Sequence, residues 1–344
     1  MRDTSFVDLA IVGAGPCGLA AAIAAGQRGL SAVVFDRSCL VSGVAGYPTY
    51  MTFFSTAERL SIGGVPFVVP AEKPTRRDAL AYYRAVARHF ALAVRQYEPM
   101  EAIVRDERAF AGAQAAGRRP ARFLVRSRTR DGVVHETPAH AVVIATGYFG
   151  HPNRLGVPGE KLPHVTHLFR EGHEAFDQPV VVVGGGNSAV DAALDLYRAG
   201  ARVTLVHFGP SLDRNIKPWV LPDIQGRIAE GSIGARFDAR VTAIEAREVV
   251  LAMPAGKERV AAEHVYLMLG YQPNAGLLRQ LGVPIDPTTG IPSHDPATME
   301  TALPGVFIAG VLASGYEANK TFIENGRDHG TLIAASLARS ADDR

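Results

Sequence analysis

The sequence predicts an α/β protein carrying two copies of one strand–turn–helix–strand unit, and three observations predict it. The apolar run Val7 to Val12 leads into a glycine-rich turn and an Ala-rich stretch. The same grammar returns about 170 residues later, where Pro179 and Val180 to Val183 lead into Gly184-Gly185-Gly186. Two further apolar runs, Ala141 to Ala145 and Val306 to Ala309, each end on a glycine within two residues. Spacing this wide excludes a solenoid, whose repeats recur every 20 to 50 residues or so.

Taken in order, Val7 to Val12 is a strand, Gly13 to Gly18 the turn, Leu19 to Arg28 a helix and Ala32 to Phe35 a second strand. Arg105 to Thr137 is charged and turn-rich and reads as a small antiparallel excursion, followed by the buried strand Ala141 to Ala145. The Pro/Gly-rich stretch from His151 to Pro163 reads as a linker. The second unit follows, with the helix Ser188 to Ala199 and the strand Val203 to Val206. Tyr266 to Leu269 is a strand, Gly282 to Pro292 is loop, and Thr321 to Arg339 is a closing helix with glycine breaks at Gly326 and Gly330. The expected domains are 1–155, an inserted 156–284, and 285–344 completing the first.

Composition narrows the function classes. With 47% hydrophobic and 20% charged residues, 344 residues supply a sizeable core, which excludes wholesale disorder. A net charge of +2 without a dense basic run gives no electrostatic reason to expect nucleic acid. Residues 9–25 look superficially like a signal-peptide core, but Asp3 and Asp8 precede them and Gly13, Gly15, Pro16 and Gly18 interrupt them. The same breaks exclude a membrane span. The two cysteines, Cys17 and Cys39, are too few for a disulfide scaffold or thiolate zinc site and suit a reducing cytoplasm. The eleven histidines show no metal-ligand spacing, so no metal is expected.

A G-x-G-x-x-G alone arises by chance about once in three sequences this rich in glycine, so context decides its value. Here Gly13, Gly15 and Gly18 follow a strand and open a helix, and Asp36 ends the next strand. That is the full dinucleotide fingerprint. Gly13 permits the tight turn, Gly15 lets backbone approach a pyrophosphate, and Gly18 lets helix and strand pack closely. The N-terminus of the helix that follows offers free N–H groups to the phosphates, with Pro16 in the turn as a further candidate contact, and Asp36 accepts from a ribose.

The second turn, Gly184, Gly186 and Ala189 with Asn187 and Ser188 between, is the G-x-G-x-x-A form. Its second strand ends His207-Phe208-Gly209, with no carboxylate to repel a 2′-phosphate, which favours NADPH over NADH. Arg214 and Lys217 are the nearest cations for that phosphate; solvated loop charges are the alternative reading.

The strand ends Ala145-Thr146-Gly147 and Ile308-Ala309-Gly310 resemble the paired flavin-domain motifs of two-dinucleotide flavoproteins. That resemblance puts FAD in the first domain, with Thr146, Gly147, Gly310 and Val311 beside it, and NADPH in the insert. The expected architecture is therefore two Rossmann-like dinucleotide-binding domains, the NADPH domain inserted in the FAD domain, as in the thioredoxin-reductase-like group. In that group the last motif normally ends in Asp, where this chain has Val311. A thioredoxin reductase also needs a C-x-x-C in the nicotinamide domain, and neither cysteine lies in residues 160–285.

Nearly end to end, the chain is similar to the bacillithiol disulfide reductase family. The resemblance runs through Gly15-Pro16-Cys17-Gly18, Tyr47-Pro48-Thr49, Thr52-Phe53-Phe54-Ser55 and Leu60-Ser61-Ile62-Gly63. It continues in Ala145 to Tyr148, Gly185 to Asp191, Ile216 to Trp219, Ile308 to Val311 and Phe322 to Gly326. It implies a cytoplasmic enzyme that uses NADPH and FAD to reduce the disulfide of a low-molecular-weight thiol. Cys17 is the implied thiol participant. A helix N-terminus stabilises a thiolate and a bound pyrophosphate opposes it, so its acidity is left open; a packing role is the alternative.

The aromatics Tyr47, Tyr50, Phe53 and Phe54 are candidate substrate wall or core, and Lys73, Arg76 and Arg77 candidate attractors of an anionic substrate or solvated loop charges. Rival functions are a ferredoxin–NADP reductase of the same architecture, a flavin monooxygenase, whose F-x-G-x-x-x-H linker motif is absent from residues 147–175, and a non-catalytic flavin redox sensor. A homo-oligomer is compatible with the sequence, which carries no signal for the state.

Overall fold

The computed structural model describes residues 6–105, 121–317 and 320–342 of the chain. They pack as two units, one drawn from Met1–Ala45, Thr52–His151 and Gln272–Arg344, the other from Gly46–Met51 and Pro152–Tyr271.

In the first unit β1 (Val7–Val12) is followed by helix α1 (Pro16–Gly26) and β2 (Ala32–Asp36). The one-turn helices α2 (Ser42–Ala45) and α3 (Ala57–Leu60) precede α4 (Arg76–His89). The strands β3 (Val94–Gln96), β4 (Met100–Arg105), β5 (Phe123–Arg128) and β6 (Val134–Ile144) complete the N-terminal part. One seven-stranded sheet holds them in the order β3-β2-β1-β6-β5-β4, and a later strand, Val306–Ile308, also pairs with β6.

The eleven-residue β6 serves two pairings. Its first half runs antiparallel to β5, Val134 opposite Arg128 through Ala139 opposite Phe123. Its second half lies parallel to β1, Ala139 opposite Val7 through Ile144 opposite Val12. The parallel strands are buried on both faces, which is why Leu9, Ile11, Val34, Val142 and Ile144 read as unbroken apolar runs. The antiparallel excursion expected over Arg105 to Thr137 is present as β4–β5–β6; its middle, residues 106–120, lies outside the described residues.

The second unit carries β7 (Val165–Thr166), β8 (Pro179–Val183), α5 (Asn187–Arg198), β9 (Arg202–Val206), α6 (Leu221–Ala229) and β10 (Gly234–Arg236). An antiparallel sheet of β11 (Arg240–Ile244), β12 (Glu248–Met253) and β13 (Gly256–Ala261) follows, and then β14 (His264–Leu267). The parallel sheet has the order β10-β9-β8-β14-β7. Val180, Val181 and Val182 at its centre are wholly buried, and α5 covers one face through Ala189, Ala193 and Leu196.

The chain returns to the first unit through α7 (Gly276–Gln280), β15 (Val306–Ile308), α8 (Ile323–Gly326) and α9 (His329–Asp342). The insert thus runs 152–271 rather than 156–284. Its end is earlier because the Asn274 carbonyl accepts from the Thr146 hydroxyl (2.9 Å), tying the segment before α7 to the first unit. The segment 46–51 also packs with the insert, where the Thr49 N–H donates to the Arg170 carbonyl at 2.8 Å. Of the two expected breaks in the closing helix, the one at Gly326 is real. Gly330 lies inside α9, where a Cβ would stand 2.6 Å from Ala21 Cα, so its glycine serves close packing on α1. Among the described residues no helix is long and apolar enough to cross a membrane.

Candidate functional site

The parallel strands β1, β2, β6 and β15 bring their carboxyl ends to one edge of the first unit, the edge where open α/β sheets bind ligands. Gly13 takes φ +109°, and a Cβ there would lie 2.3 Å from the Ala145 carbonyl oxygen. A Cβ on Gly18 would lie 2.0 Å from the Gly13 carbonyl oxygen, so turn and helix can close only on glycine. Gly15, by contrast, has no atom within 4 Å of its Cβ position. It caps α1 with extended backbone and no side-chain hydrogen bond, and Pro16 follows at the first turn. The turn therefore leaves an open cradle at the place where backbone meets a pyrophosphate.

Asp36 is buried at the end of β2. One carboxylate oxygen accepts from the Ala14 N–H at 2.8 Å, and the other from the Ser38 N–H at 2.8 Å. The acid thus holds the turn itself, which its fingerprint position alone does not reveal. Thr146 and Gly147 follow β6; the Thr146 hydroxyl is engaged by Asn274, and Gly147 (φ +64°) has open space at its Cβ position. Gly310 and Val311 follow β15. Val311 is buried and apolar, while the Gly310 N–H donates to His329 Nδ1 at 3.1 Å.

Cys17 stands in the first turn of α1, partly exposed as a residue. Its Sγ lies 2.9 Å from a Cβ position on Gly326 and 3.2 Å from one on Gly310. Burial, with the Asp328 carboxylate adding to it, pushes the thiol up to about 12. Both causes favour the protonated thiol.

In the second unit Gly184 takes φ +143°, with the Met268 carbonyl oxygen 2.4 Å from its Cβ position, and Gly186 caps α5. Ala189 is buried and Ser188 exposed. Asn187 pins the following loop: its amide donates to the Asn215 carbonyl at 3.0 Å, and its Oδ1 accepts from the Lys217 N–H at 3.0 Å.

Lys217 is not placed as a phosphate clamp. It is buried, its ammonium bonded to Asp191 at 2.5 Å, and burial pulls its pKa below the usual lysine value against the pull of Asp191. The partner sits 26 residues earlier, which sequence proximity does not show. Asp213, which the sequence does not single out, stands against this turn. Its N–H donates to the Gly185 carbonyl at 3.0 Å, and its Oδ2 lies 3.2 Å from the Cβ position of Gly186. The candidate substrate cations divide similarly: Arg76 opens α4 and donates to the Ala45 carbonyl at 2.5 Å, so it is no solvated loop charge.

Two strand–turn–helix cradles in one chain define a two-dinucleotide oxidoreductase of the thioredoxin-reductase-like fold. The chain belongs to the pyridine nucleotide-disulphide oxidoreductase family, whose model matches residues 10–310. It is 43% identical over 331 residues to Bacilliredoxin reductase Bdr of Bacillus subtilis, covering 96% of this chain and 97% of that one. Among solved structures it is similar to Bacillithiol Disulfide Reductase Bdr from Bacillus cereus, with a TM-score of 0.92 and 40% identity over 98% of this chain and 100% of that one. The Staphylococcus aureus structure of the same name gives 0.89 and 37% identity over 99% of each chain. FAD and NADPH are the cofactors this membership brings.

Proposed function

We propose that the chain is a cytoplasmic, NADPH-dependent FAD enzyme that reduces the disulfide of a low-molecular-weight thiol, with bacillithiol disulfide as substrate. The observation that carries this reading is a pair of complete glycine turns, one on each unit, in a chain whose only cysteines are Cys17 and Cys39. Two dinucleotide sites serve a hydride relay, and a chain with no C-x-x-C cannot pass electrons through a dithiol of its own. When bound, the dinucleotides supply the redox chemistry: NADPH, a proton and the disulfide become NADP⁺ and two thiols.

The chain's own groups bind and orient. Gly13, Gly15, Pro16 and Gly18 hold the FAD pyrophosphate on the N-terminus of α1, with Asp36 at its ribose and Thr146, Gly147, Gly310 and Val311 lining the flavin end. Gly184, Gly186, Asn187, Ser188 and Ala189 present the N-terminus of α5 to the NADPH pyrophosphate. Cys17 is the thiol that exchanges with the substrate disulfide. Its protonated resting state requires the sulfur to lose a proton before it attacks, so the exchange step accelerates with rising pH.

The test is NADPH oxidation by FAD-loaded protein with separate acceptors: bacillithiol disulfide, other small disulfides, an oxidised bacilliredoxin and an oxidised ferredoxin. Turnover with bacillithiol disulfide supports the reading. Turnover with ferredoxin alone selects the rival reductase, and turnover with bacilliredoxin alone makes the substrate a protein disulfide.

A further inference from the structure

Its pair with Asp191 occupies Lys217, one of the two cations, with Arg214, that the sequence offers for the 2′-phosphate of NADPH, and the end of β9 presents a third. Residues 236–239 run alongside 207–209 there: the His207 N–H donates to the Arg236 carbonyl at 2.9 Å, the Ala239 N–H to the His207 carbonyl at 3.0 Å, and the Asp238 N–H to the Gly209 carbonyl at 2.9 Å. These contacts bring Arg240, the first residue of β11, over the ring of Phe208, its guanidinium carbon 5.3 Å from the ring centroid. Phe208 is 63% exposed although it is a large apolar side chain. It occupies the end of the unit's second strand, where a Rossmann unit holds its adenosine ribose.

We infer that Arg240, held over Phe208, binds the 2′-phosphate and so sets the preference for NADPH over NADH. The inference rests on the reading of this unit as the NADPH unit. The cation–π contact uses the charge of the guanidinium over the ring face and spends none of its N–H donors, which stay available for a bidentate phosphate contact. The acidic residues nearby in the chain do not compete for it. Among the described residues neither Asp213 nor Asp238 comes within ion-pair distance of Arg240, and no other carboxylate does. Asp213 faces the glycine turn and His207 instead, with Oδ1 3.6 Å from His207 Nε2. Arg214, the other cation close by in sequence, is exposed and has no aromatic or carboxylate partner among the described residues to fix its position.

The experiment is calorimetric titration of the FAD-loaded protein with adenosine 2′,5′-bisphosphate and, separately, with 5′-AMP, which differ only in the 2′-phosphate. Arg240→Ala is expected to weaken the bisphosphate about tenfold or more, as loss of a charge-assisted phosphate contact does, and to leave 5′-AMP unchanged. Arg240→Lys keeps the charge without the planar fork and is expected to fall between. Equal binding of the bisphosphate by wild type and Arg240→Ala overturns the inference, as does an equal loss of both ligands. A selective loss in Arg214→Ala with none in Arg240→Ala assigns the phosphate to the other cation and overturns it too. Wild type that binds neither nucleotide overturns the NADPH reading of the unit together with the role of Arg240.

Discussion

The backbone N–H of Gly310 donates to Nδ1 of His329, 3.1 Å away, across a stretch of 19 residues. The bond joins the turn after β15 to the first residue of α9, and it forms only while that nitrogen carries no proton. Burial first, and the neighbouring His294 second, hold the imidazole below its ordinary value of 6.5, with Asp328 opposing.

The fold therefore prefers the neutral ring. Its contribution to stability is complete above 6.5 and is lost as the pH falls from there through the lower folded-state value. His329→Asn keeps an oxygen acceptor but does not titrate. Its Tm is expected to fall less than that of wild type between neutral pH and about pH 5. Parallel Tm curves for the two proteins would show that this bond is not what the proton breaks.

Cys17 makes a second pH argument. Its thiol is pushed up to about 12, so at neutral pH it is almost wholly protonated. Disulfide reduction that needs its thiolate should rise about tenfold per pH unit through the mildly alkaline range, while reduction of an artificial acceptor stays nearly flat. Cys17→Ala should retain FAD and the artificial-acceptor activity and lose disulfide reduction by about tenfold or more. Disulfide turnover unchanged by pH and by Cys17→Ala would make the residue a packing element between Gly310 and Gly326.

Gly13 and Gly15 separate folding from binding. Gly13→Ala places a Cβ 2.3 Å from the Ala145 carbonyl oxygen in a positive-φ conformation, so thermal stability should drop sharply. Gly15→Ala meets no protein atom within 4 Å. Its Tm without cofactor should stay near wild type, while its FAD affinity falls about tenfold or more because the methyl fills the cradle. Full FAD affinity in Gly15→Ala would remove the pyrophosphate from this turn.

Asp213 sets a carboxylate against the turn proposed to receive the second pyrophosphate. The repulsion is exposed and screened, so its effect is modest. Asp213→Asn should lower the KM for NADPH about two- to fivefold at low salt, with the gain shrinking at high salt. An unchanged KM at low salt would mean that the carboxylate leaves the turn before the cofactor arrives.

Much of this was legible in the chain itself. The β1–α1–β2 and β8–α5–β9 units are readable because a glycine turn between an apolar run and an Ala-rich stretch constrains the backbone locally, and β1 matches its expected bounds, Val7–Val12. Helix α4 was missed, although Thr75 and Asp78 form a capping box directly before its apolar face. That signal is local and usable. The role of Lys217 was not readable, because a buried ion pair with Asp191 depends on how a loop folds back on α5. The placement of Asp213 at Gly186 and of Arg240 over Phe208 is tertiary in the same sense. The insert's end differs from the expected one because the loop Gly282 to Pro292 marks a turn without saying which unit its flanks pack on.

Electron flow from NADPH through FAD to a small disulfide is directly visible in an anaerobic titration. FAD-loaded protein is reduced with one equivalent of NADPH, and the visible flavin absorbance is followed as bacillithiol disulfide is added. NADPH is expected to bleach the flavin band and one equivalent of the disulfide to restore it, with two thiols released. A band that NADPH bleaches and the disulfide leaves bleached, but that oxidised ferredoxin restores, would contradict that electron flow.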